Sequence, residues 1–89
     1  NLKMVEKNFV VKNETGLHAR PASLFVQKAA KFKSTIKIKK DGKEGNAKSI
    51  ISVLSLGASN GSEITISCTG EDEQEALNAL IDLLDNLEE

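Results

Sequence analysis

Residues 15–31 read Thr15-Gly16-Leu17-His18-Ala19-Arg20-Pro21-Ala22-Ser23-Leu24-Phe25-Val26-Gln27-Lys28-Ala29-Ala30-Lys31, and the hydrophobic period changes around their start. Upstream, Val5, Lys7, Phe9 and Val11 share one face of an extended segment running from Met4 to Lys12, with Phe9 and Val11 as the inward pair. Asn13-Glu14-Thr15-Gly16 is a turn-rich break that ends this strand. From Ala19 to about Lys31 the period is helical: Ala22, Phe25, Val26, Ala29 and Ala30 follow the spacing of an amphipathic helix. Pro21 falls in the first turn, where its missing N–H costs nothing. Leu24 lies off the apolar stripe and is expected to be at least partly exposed. The stretch also holds the only histidine, the only arginine and the only proline of the chain, within four positions of one another.

Working outward, Thr35 to Lys40 alternates Ile36 and Ile38 with lysines, the pattern of a half-buried strand. Asp41-Gly42 is a hairpin signal, and a short strand from Lys43 to Ala47 follows it. Ser49 and Gly57 frame Ile50-Ile51-Ser52-Val53-Leu54-Ser55-Leu56 as N-cap and C-cap of a short helix, although Ile-Ile-Ser-Val favours a strand by propensity. That helix is apolar nearly all round, so part of it should form an exposed sticky surface. Asn60-Gly61 is a turn, and Glu63 to Thr69 is a strand with Ile64, Ile66 and Cys68 inward. A final helix from about Asp72 to Leu87 carries Leu77, Leu80, Ile81 and Leu84 on one face. Asp72 with Glu75 three residues on reads as a capping box for it. The order βαββαβα predicts an α+β open-faced β-sandwich, a four-stranded antiparallel sheet with three helices on one face.

Composition narrows the function classes. At 89 residues the chain is expected to be one domain, with Met4 read as the native start and residues 1–3 as an addition to it. Its 12 basic and 13 acidic side chains give a net charge of −1, which argues against a nucleic-acid binder, as does the 3% aromatic content. Cys68 is the single cysteine, so neither an intrachain disulfide nor a Cys/His metal site can be built, and a reducing, cytoplasmic setting is expected with no metal and no cofactor. No apolar run approaches the roughly 20 residues of a membrane span.

The chemistry gathers at His18. A helix start presents backbone N–H groups without intrahelical partners, and together with the helix dipole they form an anion site. Arg20 adds a planar guanidinium suited to phosphate oxygens. A neutral imidazole is a nucleophile, and one ring nitrogen can attack phosphorus. A phosphoryl group arriving there meets charge already in place. Taken alone, the same histidine is equally a cap or a solvated surface residue, and Arg20 a solvated charge.

The whole of Thr15-Gly16-Leu17-His18-Ala19-Arg20-Pro21-Ala22 resembles the phosphorylation motif of HPr, the histidine-containing phosphocarrier of the bacterial phosphoenolpyruvate:sugar phosphotransferase system. Lys48-Ser49-Ile50-Ile51-Ser52-Val53-Leu54-Ser55-Leu56-Gly57 is similar to the regulatory serine segment of HPr proteins from low-GC Gram-positive bacteria. The resemblance covers nearly the entire chain in length and element order; Ile51 and Leu54 depart from it, standing where methionines are common. It implies that His18 accepts a phosphoryl group on Nδ1 from phosphorylated enzyme I and passes it to sugar-specific IIA domains, with Arg20 steadying the group. It implies that Ser49 is phosphorylated with ATP by HPr kinase/phosphorylase, and that the seryl-phosphorylated form acts with the catabolite control protein. Leu24, Ile50, Ile51 and Leu54 are the expected apolar docking patch, rimmed by Lys28 and Lys48. Core packing is the competing role for those apolar side chains, and a structural cap that for Ser49. A purely regulatory relative is the second reading, opposed by His18, because such relatives lack the active histidine. Nothing in the sequence demands more than a monomer, and a monomer is expected.

Overall fold

The computed structural model describes residues 4–87, so the reading of residues 1–3 as an addition lies outside the described residues. Four strands form one antiparallel sheet: β1 (Met4–Val10), β2 (Thr35–Lys40), β3 (Lys43–Asn46) and β4 (Glu63–Thr69), in the order β1-β4-β2-β3. Three helices, α1 (Ala19–Ala29), α2 (Ile50–Ser55) and α3 (Glu73–Asp85), complete the expected βαββαβα order. α1 packs against both α2 and α3, and α3 against β1 and β4.

The inward side chains are those the alternation marked. Ile36 and Ile38 of β2 and Ile64, Ile66 and Cys68 of β4 are buried, with Ile36 opposite Cys68 and Ile38 opposite Ile66. Ala22, Phe25 and Ala29 of α1 and Ala76, Leu77, Leu80 and Leu84 of α3 close over them. Full burial of Phe25 alone removes enough apolar surface to contribute roughly 1.5–3 kcal/mol. Lys7 stands opposite Ile66, on the same face as Phe9, yet stays exposed because β1 is an edge strand. A lysine there also discourages pairing with another chain.

Three local expectations shift. β1 ends at Val10, so buried Val11 sits just beyond the strand, where its N–H donates to the Ser62 carbonyl at 2.8 Å. α1 ends at Ala29, which turns Ala30 out to solvent as its C-cap. Asp72 precedes α3 but its side chain does not cap it. Its carboxylate instead accepts from the Lys33 and Ser34 N–H groups, at 2.8 and 2.9 Å, and from the Ser34 hydroxyl. Glu73, not Glu75, accepts at the helix entrance, from Gly70 N–H at 3.0 Å. Donors brought from about forty residues upstream thus outcompete the local cap.

Candidate functional site

The site begins with how the chain leaves β1. Gly16 has a left-handed backbone, φ +66°, and a Cβ on it would stand 2.5 Å from both the Ala58 carbonyl oxygen and the Ser59 Cα. Only glycine fits that close approach. Leu17 follows, buried, with its N–H donating to the Ala58 carbonyl at 3.0 Å. The next residue is His18, and it is exposed.

His18 is the N-cap of α1, with extended backbone (φ −77°, ψ −173°), and its carbonyl accepts the first helical hydrogen bond, from Ala22 N–H at 2.8 Å. Its side chain makes no capping hydrogen bond, so the imidazole is not consumed as a cap. The first-turn N–H groups of a helix lack intrahelical partners, and His18 stands at that end of α1. Arg20 is exposed in the same turn, and Pro21 behind it is buried, which anchors the turn. Arg20, Pro21, Leu24 and Lys28 of α1, with Asp82 and Leu83 of α3, are among the residues lining a groove of about 460 Å³. An exposed imidazole, a guanidinium and a helix start therefore share one end of α1.

Ser49 is the N-cap of α2; its Oγ accepts from Ser52 N–H at 3.4 Å, a long bond, and the residue is half-buried. Leu24, Ile50, Ile51 and Leu54 are all exposed, Ile51 by 77%, while Val53 and Leu56 turn into the core. α2, which packs against α1, thus uses few of its apolar residues for the core and leaves the rest exposed. Lys28 is half-buried along the groove. Lys48 is placed differently from a mobile rim charge: its ammonium donates to the Phe32 carbonyl at 2.7 Å, just past the end of α1. In the sequence Asn13 and Asn60 are turn residues only, and no local signal marks the contacts they make around the His18 turn. Cys68 is buried, and burial pushes its thiol up to about 11, which fits a packing residue.

A family model described as the phosphorylation site of the phosphotransferase-system HPr component matches residues 5–86. The HPr-like protein Crh of Halalkalibacterium halodurans is 59% identical over 78 residues, 88% of this chain and 93% of that protein. Crh of Bacillus subtilis is 53% identical over 77 residues, 86% of this chain and 91% of that protein. Among solved structures, the phosphocarrier protein HPr of Bacillus anthracis superposes with a TM-score of 0.87 at 51% identity, covering 90% of this chain and 95% of that one. The chain belongs to the HPr family, the phosphocarriers of the phosphotransferase system, which carry a phosphoryl group rather than catalyse its transfer.

The expectation of a monomer is overturned by two of these relatives. HPr of Thermoanaerobacter tengcongensis (TM-score 0.74, 55% identity, 86% of this chain and 88% of that one) forms a dimer, and B. subtilis Crh (0.74, 49%, 91% and 93%) forms an intertwined dimer with a swapped domain. The physical reason is general: an element exchanged between copies remakes the same contacts it makes within one, so a small fold is no argument for a single chain. Among the described residues, no helix is long and apolar enough to cross a membrane.

Proposed function

We propose that His18 is the phosphoryl acceptor, taking the group on Nδ1 from phosphorylated enzyme I and passing it to a histidine of a sugar-specific IIA domain. The observation that carries this reading is the exposed His18 ring at the start of α1, uncommitted to any cap. In the first transfer the His18 nitrogen forms a bond to phosphorus as the N–P bond of the enzyme I phosphohistidine breaks; in the second the His18 N–P bond breaks as the IIA histidine nitrogen forms its own, which returns the ring to its starting state. Arg20 and the first-turn N–H groups hold the phosphoryl oxygens, so that charge is stabilised on arrival and departure alike. Leu24, Ile50, Ile51 and Leu54 dock the partners, with Lys28 as the basic side chain of that face.

Ser49 is proposed as the regulatory site, phosphorylated with ATP by an HPr kinase/phosphorylase. A phosphate there meets a helix start, so the fold survives, while roughly −1.5 to −2 charges appear on the docking face and repel acidic partners. The similarity to Crh favours a second reading, a regulator acting through Ser49 and the catabolite control protein alone. His18, the residue such regulators lack, favours the carrier. Parallel incubations decide between them: phosphoenolpyruvate with enzyme I should give an acid-labile adduct abolished by His18→Ala, and ATP with the kinase an acid-stable one abolished by Ser49→Ala. A chain charged only by the kinase is the regulator.

A further inference from the structure

The turn that delivers His18 is fastened by two asparagines. Asn13 is 6% exposed, and its Nδ2 donates to the Gly16 carbonyl at 2.7 Å while its own carbonyl accepts from Gly16 N–H at 3.2 Å. Both backbone polar groups of Gly16 are therefore held by one residue. The N–H on the far side of the Gly16–Leu17 peptide goes to the Ala58 carbonyl at 3.0 Å, so that peptide plane is pinned at its oxygen and at its nitrogen. Asn60, in the turn before β4, donates from Nδ2 to the Lys12 carbonyl at 3.0 Å and the Asn13 carbonyl at 3.2 Å, and so braces Asn13 from behind. Next to it, Gly61 N–H donates to the Val11 carbonyl at 2.7 Å. A ring nitrogen that must line up with a phosphorus atom on two successive partners depends on the direction in which the backbone enters His18.

We propose that Asn13 and Asn60 are positioning residues for phosphoryl transfer: they fix the Gly16–Leu17 peptide and so aim the His18 imidazole, without touching the phosphoryl group. The proposal rests on His18 being the acceptor. It differs from a plain stabilising role because the pinned peptide lies immediately before the reacting residue, whereas the docking face is carried by α1 and α2.

The test is steady-state phosphorylation of the purified chain by phosphoenolpyruvate and catalytic enzyme I. It compares wild type with Asn13→Ala, Asn60→Ala and Asn60→Asp at a temperature where urea unfolding shows each to be folded. Asn60→Asp keeps the shape but sets a carboxylate against two carbonyl oxygens. A lower kcat is expected at unchanged KM, by about tenfold or more for Asn13→Ala and severalfold for either Asn60 variant. The His18 Cε1–H resonance is expected to move in all three. Folded variants at wild-type kcat with unmoved ring signals, or a loss confined to KM, overturn the proposal. If Asn13→Ala does not fold, the Asn60 variants decide, since Asn60 is exposed. Failure of the acceptor reading shows in wild type as an uncharged His18, whereas failure of the positioning shows only in the variants.

Discussion

At the scale of single residues, Gly16 and Asp72 are the informative positions. Gly16→Ala forces a side chain into a left-handed backbone and against the Ala58 carbonyl. Strain of that kind costs roughly 1–3 kcal/mol, and the overlap adds to it, so the urea midpoint should fall clearly. Asp72 behaves differently. Its carboxyl is held below the usual carboxylate range by the Ser34 hydroxyl first and the Lys33 N–H second. A lowered folded value means the unfolded chain binds the proton more readily. The stabilisation is then full above the ordinary value of about 3.9 and is lost as pH falls through the lower folded one. Asp72→Asn should lower stability at neutral pH and flatten that acid limb, as read by urea unfolding at a series of pH values. The sequence showed Ser49 correctly as a cap because its donor, Ser52 N–H, is three residues away. It misread Asp72 because the donors that win lie in the α1–β2 connection, which no local pattern reveals.

At the scale of elements, α2 is the informative case. Its β-rich sequence forms a helix because Ser49 caps one end and Gly57, at φ +65°, closes the other. Only Val53 and Leu56 of that segment reach the core, which leaves Ile50, Ile51 and Leu54 outside. Ile51→Glu should therefore change the unfolding free energy by no more than about 0.5 kcal/mol. The same substitution should raise KM for transfer from enzyme I with kcat little altered, because docking and chemistry sit on different residues. A loss of stability with normal transfer would show that Ile51 packs rather than docks. Ser49→Ala should cost only about 0.5 kcal/mol, the low end for a lost cap, given the length of its bond. The helical reading of α1 was legible in the same way, from apolar spacing and Pro21, and overran only where Ala30 turns outward.

For the whole molecule, the element order was legible because each strand or helix has its own hydrophobic period and each break its own turn chemistry. The strand order β1-β4-β2-β3 was not, because alternation says which face is buried and nothing about which neighbour lies alongside. Oligomeric state was equally hidden: exchange of an element preserves the pattern that the reading used. The core is dominated by aliphatic side chains with Phe25 fully buried among them, and the chain is small. Phe25→Ala should cost about 3–5 kcal/mol, a large share of the stability of such a fold, and unfold the chain at lower temperature in a calorimetric scan. The central claim for the molecule is that this frame exists to hold one imidazole exposed at a helix start. The most direct test is NMR of the chain, with its histidine labelled by ¹⁵N, after treatment with phosphoenolpyruvate and enzyme I. The expected result is a phosphorus signal coupled to Nδ1 of His18 that vanishes in acid. Unchanged ring signals, with no phosphate on the chain or phosphate on a hydroxyl side chain instead, would contradict it.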